Sequence, residues 1–326
     1  MSHRFTVRVP ATSANLGPGF DCMGVALNLF NEMSIETGHP FSVEIEGEAA
    51  SLLPTNEQNS VVDTIYKVFD RVGATKVPRE WKLRLVNHIP IASGLGSSAT
   101  AIVGGILLAN ALLVQYEPER AMSQEEQLNF ATELEGHPDN VTPAIQGGAC
   151  LSCVDDHAIQ TFPLPVPKHL YFVVAVPYFM LPTEESRTVV PQQISRQDAI
   201  YNISQAGRLV LALSTGKLDI LRGGFGDKLH EPYRRPLIPG FAEVHKAATR
   251  AGALTTTLSG AGPSILAWCD DEATAWQVAD EITLAWREHN VPCRTEVYQT
   301  CHTETAVEVV ALPMPSESEN SPQVPR

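Results

Sequence analysis

Basic residues are in short supply in this chain: 23 Lys and Arg stand against 37 Asp and Glu, for a formal net charge of -14 at pH 7. That deficit argues against a polyanionic partner, whether nucleic acid or an anionic membrane surface, while leaving room for a locally positive pocket. Cysteine is scarce too. Cys22, Cys150, Cys153, Cys269, Cys293 and Cys301 are too few in 326 residues for a disulfide scaffold. Cys150-Leu151-Ser152-Cys153 forms a CxxC, but no second Cys or His pair follows at zinc spacing. Its surroundings read as a strand with the two thiols on opposite faces, not as the helix start a redox pair requires. Buried structural thiols are the expectation. Residues 1–10 lack the apolar stretch of a signal peptide. No segment reaches the roughly 20 apolar residues a membrane span requires, and no internal repeat is found. The expectation is a soluble cytoplasmic protein. The Walker signature Gly-Lys-Ser/Thr is also missing.

A 44% share of hydrophobic residues supplies a real core for one large or two medium domains. Residues 5–9, 41–46 and 81–86 read as strands and 61–72 as a helix. The run 99–114 is too long for a strand and reads as a buried helix. A further helix over 125–135 ends at Gly136 and Pro138. Pro163, Pro165 and Pro167 cannot continue a helix or a central strand, which places a domain boundary there: 1–165 and 166–311. The second half offers strands at 171–176, 294–297 and 306–310, a strand with a Gly loop at 254–267, and helices at 193–213, 241–251 and 272–288. The tail, 312–326, is rich in Pro, Ser and Glu and is expected to be disordered. The irregular alternation favours α+β layers over a doubly wound parallel sheet.

Before the run at 99–114 stands Pro90-Ile91-Ala92-Ser93-Gly94-Leu95-Gly96-Ser97-Ser98-Ala99. Gly94 and Gly96 let backbone approach a ligand without a Cβ in the way, and Ser97 and Ser98 sit where a helix cap belongs. The free amides and dipole of a helix start suit phosphate oxygens. An ordinary capped glycine turn fits the same residues. So does a dinucleotide loop, because Gly94, Gly96 and Ala99 match GxGxxG/A, although no acid-tipped strand follows. A kinase phosphate loop gives the serine hydroxyls a magnesium ion to bind.

Other segments add oxygen and nitrogen groups. Magnesium needs oxygen ligands, and Glu135, beside the break at Gly136 in a cluster with His137, Asp139 and Asn140, is the best source. Asn15 and Asp21 lie in a stiff Gly/Pro frame and suit recognition of an amine and a hydroxyl, with Asx turns as the plainer reading. Ser259-Gly260-Ala261-Gly262 is a second backbone able to crowd a ligand, or a tight turn between strands.

Together these segments resemble the GHMP kinase superfamily, through the Pro-x-x-x-Gly-Leu-Gly-Ser-Ser-Ala loop. Within it they look like the homoserine kinases, through Pro10-Ala-Thr-Ser-Ala-Asn-Leu-Gly-Pro-Gly-Phe-Asp21, His137-Pro-Asp-Asn-Val-Thr-Pro-Ala144, Thr183-Glu-Glu-Ser-Arg187 and Glu231-Pro-Tyr-Arg234. The resemblance runs from about residue 5 to residue 310. It implies an α+β fold of two domains, a ribosomal S5 domain 2-like N-terminal one and a ferredoxin-like C-terminal one, often as a homodimer. It implies phosphorylation of L-homoserine by ATP in threonine biosynthesis. It implies that Asn59 contacts adenine, that residues 90–99 cover the phosphates, and that Ser98 and Glu135 hold Mg2+. Asn15, Asp21, His137 and Asn140 would line the amino-acid end, and Gly260 would lie in its floor. Arg187 and Arg234 would grip the substrate carboxylate, for which a planar guanidinium suits bidentate binding. Only one residue separates Glu135 from His137, where many relatives have several. Arg235 adjoins Arg234, so the two could exchange roles. The lysine that pairs with an aspartate base in mevalonate kinase-like sites has no counterpart, so the reaction is expected to rely little on a strong base. A GHMP kinase for another small alcohol, a non-catalytic metabolite sensor and a dehydrogenase are the competing readings.

Overall fold

The computed structural model describes residues 2–155, 158–223 and 226–312. Long strands β1 (Ser2–Ala14) and β2 (Met23–Thr37) open the chain, followed by β3 (Ser42–Gly47), α1 (Ser60–Val72), β4 (Trp81–Asn87), α2 (Ser97–Tyr116), α3 (Gln124–Glu135), α4 (Pro138–Gln146), β5 (Ala149–Asp155) and β6 (Ala158–Leu164). Next come β7 (Tyr171–Pro177), α5 (Thr183–Thr188), α6 (Arg196–Thr215), α7 (Glu231–Arg234), α8 (Phe241–Arg250), β8 (Thr255–Leu258), β9 (Ile265–Cys269), α9 (Glu272–Glu288), β10 (Cys293–Tyr298) and β11 (Val307–Leu312). The first sheet runs β11-β1-β2-β4-β3, with β5 joining β2 to β6; the second runs β10-β7-β9-β8. Two layered α+β units result, as the sequence suggested.

The alternating apolar positions of β1, β2 and β4 send Phe5, Val7, Val9, Met33, Ile35, Leu83 and Leu85 into one core with α1 and α2. A second core lies under α8 and α9, around Trp286 and Ile282. A third, with Leu16, Leu95, Phe172 and Trp268, joins the two units behind the cleft.

Several boundaries differ from expectation. β1 is longer than residues 5–9 because its register with β2 shifts at Pro10/Ala11 and pairing resumes through Ala14; Pro10, with no N–H to offer, sits at that irregularity. Pro163 lies inside β6 opposite Cys150, tolerated because β6 is an edge strand. The strand at 307–312, counted with the second unit through residue 311, returns to pair with β1 in the first sheet. Leu312 closes that strand, so it is not part of a disordered tail, and the rest of the tail lies outside the described residues. In β5, Cys150 is buried but Cys153 is exposed, as strand alternation requires; only one of the two is a buried thiol. At 20 residues, α2 is by length and composition apolar enough to cross a membrane, contrary to the count made on the sequence, yet 61% of its most apolar window is buried inside the fold.

Candidate active site

The cleft between the two units is built by loops that follow strands. The second half of β1 delivers Asn15 at its end. There Asn15, Leu16 and Asp21 all adopt positive φ, a conformation that Asn and Asp tolerate better than most residues. The Asn15 side chain helps hold the turn: its Oδ1 accepts from the Asp21 amide at 2.9 Å and its Nδ2 donates to the Gly260 carbonyl at 2.9 Å. Asn15 faces the pocket, but its amide is largely spent on joining the first loop to the third.

The second loop leads from β4 into α2. Among the described residues, no backbone amide from Ser93 to Ala99 donates a hydrogen bond. The first amides of a helix have no partners within it, so this cradle of donors at a helix start is suited to an anion. Gly94 and Gly96 both line the pocket and have a structural role besides. A Cβ on Gly94 would lie 2.2 Å from the Ser259 carbonyl, and one on Gly96 would lie 2.0 Å from Thr12 Oγ1. They let the loop close against the protein. Ser259 Oγ donates to the Gly94 carbonyl at 2.7 Å, and the Thr12 amide donates to the Leu95 carbonyl at 3.1 Å. Pro90, Leu95 and Ala99, expected to contact the cofactor, line neither of the cavities described below; Leu95 and Ala99 are core residues, and the Pro90 carbonyl accepts from Ser93 Oγ.

Two cavities meet at this helix start. One is lined by Asn59, Val61, Leu85, Asn87, Ile91 and Ala101 together with Ala92, Ser97 and Ser98. The other shares Ala92, Ser97 and Ser98 and adds Asn15, Asp21, Glu135, His137, Asp139, Asn140, Arg187, Arg234 and Gly260. Asn59 reaches the first cavity but is committed as the cap of α1, with Oδ1 accepting from the Val61 amide at 3.0 Å and Nδ2 donating to the Pro54 carbonyl at 2.9 Å.

A capping box of Ser123 and Glu126 starts α3, whose last residue is Glu135. Ser98 Oγ donates to Glu135 Oε2 at 3.1 Å. Burial holds the Glu135 carboxyl above the ordinary carboxylate range, although the His137 charge and the Ser98 bond both oppose this. His137 Nδ1 lies 2.5 Å from Asp139 Oδ1. Burial works against its imidazolium, but the Asp139 bond and charge outweigh it and raise the His137 pKa. Asp139 is 1% exposed, and its Oδ2 has no partner. Asn140 Oδ1 accepts from Thr12 Oγ1 at 2.8 Å.

The second unit supplies the cations. Arg187, on α5, forks onto Asp21, with Nη2 to Oδ1 at 2.8 Å and Nη1 to Oδ2 at 3.2 Å. Arg234, on α7, is 1% exposed. It donates through Nε to the Ser186 carbonyl and through Nη1 to the Gly260 carbonyl, both at 3.3 Å. It makes no ion pair among the described residues. Burial, reinforced by the nearby Arg187 charge, pushes its guanidinium down to about 10. Arg235 points elsewhere, donating to Glu231 Oε2 at 2.6 Å, and does not line the pocket.

Asp139, Phe20 and Thr183 belong to this constellation without having been singled out. Only Asp139 had a usable signal, the His-x-Asp spacing at a helix start, which puts both side chains on one turn.

The GHMP kinases N terminal domain family matches residues 59–148 and the GHMP kinases C terminal family matches 210–288. The chain is 44% identical to the homoserine kinase of Moorella thermoacetica over 91% of its own length and 97% of that protein. It is 43% identical to that of Carboxydothermus hydrogenoformans over 85% of its length and 89% of the relative. The crystal structure of homoserine kinase from Cytophaga hutchinsonii, 31% identical, superposes with a TM-score of 0.81, covering 94% of this chain and 97% of that one. The mevalonate kinase of L. major, 16% identical, shares the fold at a TM-score of 0.66 over 92% and 94% of the two chains. The chain therefore belongs to the homoserine kinase family of the GHMP kinases, with that superfamily's two-domain α+β fold.

Proposed function

We propose that the chain transfers the γ-phosphoryl group of ATP to the side-chain hydroxyl of L-homoserine, giving ADP and O-phospho-L-homoserine, a cytoplasmic step toward threonine. The observation that carries this reading is the junction at Ser97 and Ser98. An unpaired row of amides lies there between a cavity with apolar walls and a cavity lined with charge. Adenosine fits the first cavity, the phosphates fit the amides, and an amino-acid alcohol fits the second.

Residues 1–165 would then bind the nucleotide and the second unit would add the arginines. Arg234, buried without an anionic partner, suits the substrate carboxylate, and the negative charges of Asp21 and Asp139 suit its ammonium group. Phosphoryl transfer forms a bond from the acceptor oxygen to Pγ and breaks the bond to the leaving β-phosphate oxygen. Its loose transition state asks for alignment and charge stabilisation more than for a strong base. Asp21, with both oxygens on Arg187, orients the hydroxyl, and the loop amides stabilise charge on the phosphoryl oxygens.

The donor set at Ser98 and Glu135 fits a hard divalent cation, a hydroxyl and a carboxylate 3.1 Å apart. Asp21, His137 and Asp139 also lie close enough together to hold an ion, but an imidazole is a poor ligand for Mg2+. We place Mg2+ with Ser98 and Glu135, where it would screen the phosphate charge of ATP. A homodimer belongs to the same reading.

The test is ADP release with ATP, Mg2+ and L-homoserine, compared with mevalonate and galactose. Turnover specific to L-homoserine supports the assignment. No ADP release, or equal rates with the other alcohols, would remove it.

A further inference from the structure

Beside the acceptor pocket, but not lining it, lies His230. It exposes none of its surface, and the reaction described above gives it no task. Its backbone amide donates to Asp227 Oδ2 at 2.8 Å, which seats it at the start of α7, one helical turn before Arg234. The two ring nitrogens meet partners of opposite kind. Nε2 lies 2.9 Å from the Gly17 carbonyl, which only accepts, so Nε2 carries the proton. Nδ1 lies 3.0 Å from Arg234 Nη1, and a guanidinium only donates, so Nδ1 is bare. The buried Asp227 carboxylate, with Oδ2 3.7 Å from Nε2, favours a proton on that same nitrogen, so the neighbours agree on which end of the ring donates and which accepts.

The same ring stacks on Phe20, with centroids 4.9 Å apart and planes 15° from parallel. The Arg234 guanidinium lies over that Phe20 ring at 5.3 Å. Gly17 and Phe20 belong to the loop that presents Asn15 and Asp21, so His230 ties the acceptor loop of the first unit to the buried cation of the second. Its bond to Arg234 is shorter than those to the Ser186 and Gly260 carbonyls, each 3.3 Å. With Nε and Nη1 so occupied, Nη2 is the nitrogen left for an anionic ligand.

We infer that His230 is a positioning residue for the acceptor carboxylate: by accepting from Arg234 Nη1 and donating to Gly17 it fixes the plane in which Nη2 faces the pocket. The inference rests on the acceptor reading given above. A histidine that merely fills the core would be replaceable by any side chain of similar volume. A positioning one needs an acceptor and a donor at its two ends.

The experiment compares His230→Leu, which keeps bulk without polarity, with His230→Gln, whose amide offers one acceptor and one donor. Hydrogen bonds to a charged group are worth enough that His230→Leu should raise the L-homoserine KM roughly tenfold or more. The ATP KM should stay within about twofold, since the nucleotide cavity is not touched. His230→Gln should recover most of the loss. Equal behaviour of the two variants, or a parallel rise in both KM values, would overturn the inference. Ring 15N NMR of His230 in the free wild-type protein needs neither variant nor substrate. A bare Nδ1 with a protonated Nε2 is expected, and the opposite tautomer would also overturn it. If the wild type fails to phosphorylate L-homoserine, the acceptor reading falls, while the NMR result still decides whether His230 holds Arg234.

Discussion

Both carboxylate oxygens of Asp21 are held by the two terminal nitrogens of Arg187, at 2.8 and 3.2 Å. The resemblance assigned that fork to the substrate carboxylate, but in the free protein the chain's own carboxylate fills it. Arg234, which has no acid partner among the described residues, is the cation with capacity to spare. Arg187 is thus committed to Asp21, and Arg234 is the cation that our proposal gives to the ligand's carboxylate.

An aspartate paired in this way serves better to orient a hydroxyl than to take its proton. Asp21→Asn, which keeps an oxygen toward the hydroxyl, is expected to lower kcat by only about tenfold, or roughly 1.4 kcal/mol. Steady-state kinetics checks this. A loss beyond about 10⁴ would mark Asp21 as an essential base.

Glu135 carries a burial cost that the His137 charge and the Ser98 bond offset only in part. Burial raises its pKa in the free protein, so the contribution of this group to stability is full below its unfolded pKa and is lost as pH rises through the folded value. Glu135→Gln should therefore leave the metal-free, nucleotide-free protein at least as heat-stable as the wild type at pH 7. The difference should vanish in acid, below about pH 4.5. Activity with Mg2+ should fall by at least about a hundredfold. Thermal melts over a pH series and kcat at saturating Mg2+ test both parts. A variant that melts well below the wild type at pH 7 would contradict the account.

The amino-acid sequence made parts of this legible and hid others for physical reasons. The loop before α2 was readable because free amides, small residues and a helix start are local properties. The partners of its glycines were not, because Ser259 and Thr12 reach Gly94 and Gly96 only through the tertiary fold. β2 went unseen because Met23 to Leu27 is buried on both faces and shows no alternation, although its second half, through Thr37, alternates cleanly. α4 was missed because Gly136 and Pro138 read as an end, whereas Pro138 opens the next helix. Asn15 and Asn59 line the cavities, but an amide's hydrogen-bond partners are not written in the residues beside it.

The His137–Asp139 pair gives a titration with a known sign. The raised His137 pKa means that its contribution to stability is full below the unfolded value, near 6.5, and is lost as pH rises through the folded value. Asp139→Asn should bring the His137 pKa down. The loss of wild-type stability on going from mildly acidic to alkaline pH should shrink with it. NMR titration of the His137 ring in both proteins checks the shift; an unchanged pKa would show that Asp139 is not its cause.

Gly94 offers a test in which backbone strain and steric contact separate. Its φ is 82°, and a Cβ there would stand 2.2 Å from the Ser259 carbonyl and 2.9 Å from the Gly262 carbonyl. Gly216, at the end of α6, has a φ of 68° and open space around the missing Cβ. Both should lose about 1–2 kcal/mol on substitution by alanine from the left-handed conformation alone. Only Gly94→Ala must also push apart the loops that meet at the Ser259 hydroxyl, and backbone cannot move aside as a flexible side chain can. Gly94→Ala should therefore unfold at a clearly lower temperature than Gly216→Ala, and its ATP KM should rise by roughly tenfold or more. Gly216→Ala should keep the wild-type KM. If the two variants melted alike and bound ATP alike, the contact between the phosphate loop and the second unit would not be what sets the shape of the cradle.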